Sequence, residues 1–284
     1  MQADTPSSPD DLTTGPASSP PAELDAELAR QSLHLRPLSW GAPLRWIKLG
    51  FKDFVRAPGI GLFYGACFMA MGWALLKVFE SAPAYTLALS AGFLLMGPFM
   101  CLGLYHASKQ LEQGLKPDFG QSLLAWDTRT GTLAIFGFVL LVLEMIWGRA
   151  SLIVFAVSFD GMPDFKGSLL ALLNPENIDF IIAYVLVGAF FAGLIFAVTV
   201  ISIPMILDRP TDAITAGLTS FKLVLTQPGV MLWWGFLLTL LVVAALLPWF
   251  AGLLVVGPIT GHATWHAYRE AVSYQDEPPP ASQP

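Results

Sequence analysis

The sequence predicts an all-α fold, a polytopic membrane helix bundle of about six transmembrane helices with parallel internal repeats. Three observations predict it. Charged residues make up 13% of the 284 and hydrophobic ones 55%, whereas about 25% of an ordinary soluble domain is charged. Several apolar runs are long enough to cross a hydrocarbon core of ~30 Å. The chain also repeats itself. AGFLLMGPFMCLGLYHASK (Ala91–Lys109) and AGLLVVGPITGHATWHAYR (Ala251–Arg269) agree at seven of nineteen positions, and Lys109 stands where Arg269 does. Ahead of each copy, FKDFVRAPGIGLFYG (Phe51–Gly65) and FKLVLTQPGVMLWWG (Phe221–Gly235) agree at six of fifteen.

Residues 1–32 are rich in Pro, Ser, Thr, Ala and Asp and nearly free of aromatic residues. Such a segment buries too little surface to offset its ordering entropy, so a disordered tail is expected. From Ser39 to Ala57 the pattern becomes helical. Trp40, Leu44, Ile47, Phe51, Phe54 and Val55 fall on one face, and Arg45, Lys48, Lys52 and Arg56 on the opposite one. An aromatic face backed by a basic one suits a helix lying on anionic lipid.

The membrane domain is expected over 35–272, with spans at about 58–78, 85–106, 131–156, 180–207, 229–246 and 249–268. Pro58 sits in the first turn of its helix, where a missing N–H costs little. Between the second and third spans, Asp118 and Gln121 resemble a capping box opening a second, short amphipathic helix. A third carries Ile214, Leu218, Phe221 and Leu225 on one stripe. No Asp, Glu, Lys or Arg lies among the 46 residues between Lys222 and Arg269. One rod of that length would be roughly twice the thickness of a bilayer core, so a turn is expected at Leu246 to Trp249. Residues 273–284 read as another disordered tail.

Six spans place twelve of the fifteen Lys and Arg on one side, with Lys166 in an opposite loop. Both termini are then cytoplasmic. The repeats run parallel, each an amphipathic helix followed by a hairpin with a kinked second limb. The middle pair is a degenerate third copy, with Ile203-Pro204 in place of Gly-Pro. No cleavable signal peptide precedes the first apolar run. Cys67 and Cys101 lie inside predicted helices and show no metal spacing.

Chemistry is sparse. Gly97-Pro98, Pro204 and Gly257-Pro258 release the carbonyls of Leu94, Val200 and Leu254. They mark either a shared polar pocket or kinks where glycines allow close helix contact. His262 and His266 lie one turn apart and His106 matches His266 in the repeat, a pattern that could approach a metal or haem. Helix C-termini and headgroups also favour imidazoles there, and that is the stronger reading. Glu144 and Arg149, near the outer end of the third span, point about 140° apart. Glu144 is expected to face the bundle and Arg149 to snorkel outward. Asp208-Arg209-Pro210 forms a turn. The candidate polar pocket therefore comprises His106, Glu144, Arg149, Asp208, Arg209, His262 and His266. No nucleophile elbow, phosphate loop or zincin motif is present, so neither an enzyme nor a bound cofactor or metal is expected.

The segments RPLSWGAPLRWIKLGFKDFVRAPGIGLFYG, SAGFLLMGPFMCLGLYHASKQLEQG, ISIPMILDRPTDAITAGLTSFKLVLTQPGVM and GHATWHAYRE carry a resemblance. Over about Leu35 to Val272 the chain is similar to a bacterial family of uncharacterised multi-pass integral membrane proteins. That is a domain-of-unknown-function family, some of whose members bear the label cytochrome c oxidase subunit I. The resemblance implies a bacterial inner (plasma) membrane protein with no established activity. Three roles are expected in order: a non-enzymatic accessory, assembly or scaffold module for another membrane complex; a small-solute transporter or channel using Glu144; and a haem- or metal-associated respiratory accessory protein. The partners are the lipid bilayer and another membrane protein complex, not nucleic acid.

Overall fold

The computed structural model describes residues 33–81, 86–158 and 178–274. The tail at 1–32, the loop containing Lys166, and residues 275–284 lie outside the described residues. In order, the chain forms β1 (Leu33–Leu35), α1 (Ala42–Arg56), α2 (Pro58–Ser81), α3 (Thr86–Glu112) and α4 (Phe119–Leu123). After one 3-10 turn come α5 (Thr130–Ser158), α6 (Ile178–Thr199) and α7 (Ser202–Asp208). The chain closes with α8 (Ala213–Thr226), α9 (Pro228–Leu246), α10 (Leu253–Ala271) and β2 (Val272–Tyr274).

Local chemistry sets the ends of these helices. Pro58 and Pro228 each occupy the first position of their helix, where no N–H is needed. The Asp118 carboxylate caps α4 by accepting from Gln121 N at 2.7 Å. Asp212 caps α8, accepting from Ile214 N at 3.0 Å and Thr215 N at 2.9 Å. Each cap satisfies backbone donors that a helix start leaves open.

Three units of the same plan follow one another: α1 with the α2–α3 hairpin, α4 with α5–α6–α7, and α8 with α9–α10. The ends of the second limbs, α3, α7 and α10, pack on one another at the centre. Each amphipathic helix docks on the second limb of the unit before it, α4 on α3 and α8 on α6 and α7. The first helix follows the same rule by reaching the last unit, since α1 packs most extensively on α10. The ring of units is therefore closed. Antiparallel pairing of β1 with β2, with Leu35 opposite Val272 and Leu33 opposite Tyr274, joins the two ends of the described chain.

A glycine recurs at each junction between units. Gly65, Gly137 and Gly235 each lie seven residues beyond the first residue of their helix, Pro58, Thr130 and Pro228. A Cβ on Gly65 would run into the Leu254 carbonyl of α10. At Gly137 it would lie 3.1 Å from Phe99 of α3, and at Gly235 3.5 Å from Phe196 of α6. Every first limb thus meets the preceding second limb through the same position, most closely where α2 meets α10.

Several expectations need correction. Ser273 does not begin a tail, because Val272–Tyr274 gains a strand partner in Leu33–Leu35. Pro204 does not kink a continuous helix. The chain breaks at Val200-Ile201, and Pro204 falls in the first turn of α7. Two serines satisfy the break: Ser220 Oγ of α8 donates to Ala197 O at 2.7 Å and accepts from Ile201 N at 3.4 Å, and Ser202 Oγ donates to Val198 O. Pro98 and Pro258 do lie inside continuous helices. The turn between α9 and α10 runs from Leu247 to Gly252, later than expected, with Trp249 and Phe250 both at positive φ.

Four stretches of the described helices are long and apolar enough to cross a membrane: Pro58–Ser81, Thr130–Ser158, Ile178–Asp208 (α6 with α7) and Pro228–Leu246. The predicted count of six needs α3 and α10 as well. The latter carries His262, His266, Arg269 and Glu270, and its second half is enclosed by other helices rather than offered to lipid.

Candidate functional site

The third span supplies the most unusual side chain. Glu144 sits midway along α5, fourteen residues from Thr130 and from Ser158, not near the outer end as expected. The difference arises because helix continues to Ser158. Its side chain turns inward, only 8% exposed, and Oε1 has no hydrogen-bond partner. A buried carboxyl oxygen without a partner costs free energy, so its retention calls for an explanation.

Glu144 lines a cleft of about 330 Å³ between three helices. Leu140 and Trp147 share its face on α5, at helical spacing. From α3 come Pro98, the kink residue, and Leu94, whose carbonyl it releases. From α6 come Phe191 and Phe196. The cleft opens sideways, since Leu94 at its edge is 59% exposed. The matching kink behaves differently: Gly65 packs against the Leu254 carbonyl that Pro258 releases, leaving no comparable space. One kink is thus filled by close helix packing, and its repeat counterpart borders a cavity.

The remaining predicted site residues do not gather in this cleft. Arg149 is exposed further along α5. His262 and His266 join a separate buried network at the end of the bundle holding β1 and β2. His266 Nε2 lies 2.8 Å from Asp53 Oδ2, Ser108 Oγ donates to the same oxygen at 2.8 Å, and His262 Nδ1 lies 2.7 Å from Ser108 Oγ. Burial raises the affinity of Asp53 for its proton, but the hydrogen bond and charge of His266, with the Ser108 bond, outweigh it. They hold the carboxyl below its ordinary 3.8. His106 turns elsewhere and its Nε2 has no hydrogen-bond partner. The three histidines therefore form no common ligand set, and among the described residues no group of three His, Cys, Asp or Glu converges on a metal-sized point.

Asp208 and Arg209 belong to a third cluster, where the ends of α3, α7 and α10 meet. Lys109 Nζ lies 2.8 Å from Asp208 Oδ1, Tyr268 OH donates to Oδ2 at 2.8 Å, and Arg269 and Arg209 each approach Oδ2 at 3.5 Å. Arg269 also bonds Glu112 at 3.1 Å. Lys109 and Arg269, equivalent in the repeat, thus converge on one carboxylate. Cations at helix C-termini are favoured by the helix dipole, which the second-limb ends supply together. The single polar pocket read from the sequence is in fact three separate places, with Arg149 and His106 in none of them, because these residues lie at different levels and on different faces of their helices.

The basic face of α1 is also divided. Arg45 pairs with Glu270 of α10, whereas Lys48 and Arg56 are exposed. Leu44, Phe51 and Val55 face outward, as do Ile214, Leu218 and Leu225 of α8. Between the apolar and basic faces lies a third, buried one that the sequence reading missed. Trp46, Gly50 and Asp53 occupy it at three- and four-residue spacing. Trp46 Nε1 donates to Glu270 at 2.8 Å and its ring meets Trp234 edge-on at 5.4 Å. The signal was a lone acid and a glycine interrupting an amphipathic helix, which had no visible partner before α10 was placed beside it.

No curated protein and no solved structure matches the chain. The motif GHATWHAYR, on α10, lies beyond the stretch that a family model matches. Residues 86–208, from the start of α3 to the end of α7, match the family described as predicted integral membrane protein (DUF2189), whose function is unknown.

Proposed function

We propose that this integral membrane protein is a non-enzymatic carrier that takes a small amphiphilic solute into the Glu144 cleft. One observation carries the reading: a half-span-deep carboxyl with an unpartnered oxygen lines a cavity bordered by a proline-broken helix. Ionisable residues within a membrane default to function, and irregular helix is tolerated there where it borders a cavity. The volume also falls within the roughly 300–1,000 Å³ of small-molecule sites. In proteoliposomes, solute flux should collapse in Glu144→Gln while the melting profile is kept. Equal flux in the variant would remove Glu144 from the mechanism.

A second reading, an accessory or scaffold module for another membrane complex, is favoured by the state of α6. That helix is apolar all round, yet its span is the least buried of the four, with 6% of its most apolar window enclosed. A helix of that kind suits lipid or a partner helix. Purification in mild detergent with quantitative proteomics should recover a membrane partner that is lost when bulky residues replace Gly188 and Gly193. Recovery of none above background would count against it. Both readings place the protein in a bacterial inner membrane with cytoplasmic termini, supported by the distribution of Lys and Arg.

A further inference from the structure

We propose that the ligand of the Glu144 cleft is an amphiphile with a cationic amine head, an inference that rests on the reading of the cleft as a solute site. The lining decides the charge. Among the described residues lining it, Glu144 is the one ionisable side chain, with no Lys, Arg or His beside it. An anionic head would bring a like charge against the carboxyl in an apolar enclosure, and an alcohol or sugar head would offer it no counter-charge. An ammonium pairs with it directly. Trp147, Phe191 and Phe196 line the same space and supply aromatic rings, the chemistry that recognises alkylated ammonium groups. A protonated primary amine or a methylated one fits both features.

The cleft also accounts for the tail. Leu94 at the edge and Phe190 beside the α6 lining are 59% and 66% exposed, so an alkyl chain leaving the cleft meets apolar surface and then lipid. Entry from the side keeps that chain out of water throughout. The head travels to the carboxyl at the midpoint of α5, and the tail stays in the bilayer.

The test is equilibrium binding of three chain-matched probes, decyltrimethylammonium, decanoate and decanol, to the full-length protein in lipid nanodiscs, with empty discs subtracted. Saturable binding of the ammonium probe is expected. It should weaken at least about tenfold in Glu144→Gln, and less in Trp147→Leu, in keeping with an ion pair and a cation–π contact. Decanol should be insensitive to Glu144→Gln. If decanoate or decanol saturates more tightly than the ammonium probe and depends on the same residues, the amine head is overturned while the cleft stands as a ligand site. If none saturates above empty discs with protein that melts cooperatively, the cleft reading falls as well. Should Glu144→Gln fail to fold, Trp147→Leu and Phe191→Leu carry the same comparison: loss of ammonium binding supports the proposal, and undiminished binding overturns it.

Discussion

Replacing Asp53 by Asn tests whether the closure of the ring depends on a buried charge. Asp53 Oδ2 accepts from Ser108 and pairs with His266, each at 2.8 Å, at a position only 4% exposed. Asn keeps the shape and one acceptor but removes the charge. Hydrogen bonds to a charged group contribute about 1.5–3 kcal/mol each, and breaking a buried pair costs roughly 3–5 kcal/mol. Since Asn retains part of the bonding, the expected loss is about 2–3 kcal/mol. The loss should be concentrated where α1 leaves α10, so hydrogen exchange should speed up in both helices before it does in α5 and α6. The pH dependence has a defined sign. The folded-state pKa of Asp53 lies below 3.8, so its stabilisation is complete above that value and is lost as pH falls through the folded pKa. Asp53→Asn should therefore flatten the acid limb of the stability profile. Thermal unfolding in one detergent at pH 3 to 7 measures both effects. A variant within about 0.5 kcal/mol of the parent, or one with an unchanged acid limb, would refute the assignment.

Four further substitutions have definite expectations. Gly65→Ala pushes a Cβ into the Leu254 carbonyl and should cost about 2–3 kcal/mol, whereas Gly235→Ala, in ordinary contact with Phe196, should cost under about 1 kcal/mol. Paired melting curves decide this, and equal shifts would show that the two junctions are not packed differently. Ser220→Ala leaves the Ala197 carbonyl without its donor at the α6–α7 break, for a loss of about 1–3 kcal/mol in the same assay. Glu144→Leu removes a buried, unpartnered carboxyl oxygen and should melt at or above the parent temperature while solute flux disappears. Destabilisation in that variant would mean Glu144 holds the helices together rather than serving a ligand.

The repeat and its polarity were legible from the sequence because they are carried by local pattern. Gly-Pro pairs, prolines opening helices, and amphipathic stripes such as Ile214, Leu218 and Leu225 repeat at fixed offsets and need no partner to be recognised. Asp118 announced its cap for the same reason. The long uncharged stretch after Lys222 required a turn on length alone, and α9 does end at Leu246.

Contacts between units are another matter, since their residues lie far apart along the chain, 23 positions for Ser220 and Ala197 and 241 for Leu33 and Tyr274. Nothing near Asp53 says that His266 will face it, and nothing near Ser220 says that it will cap a helix ending before Val200. The first pairing exists only once α1 wraps onto α10 and the ring closes, and the second only once α8 docks on α6. The two Gly-Pro kinks look alike in one dimension, yet Gly65 fills the space beside one and a cavity holding Glu144 borders the other. Periodicity fixes which face of a helix is apolar. Only the packing of one helix on another decides which buried polar atoms find partners and which, like Glu144 Oε1, do not.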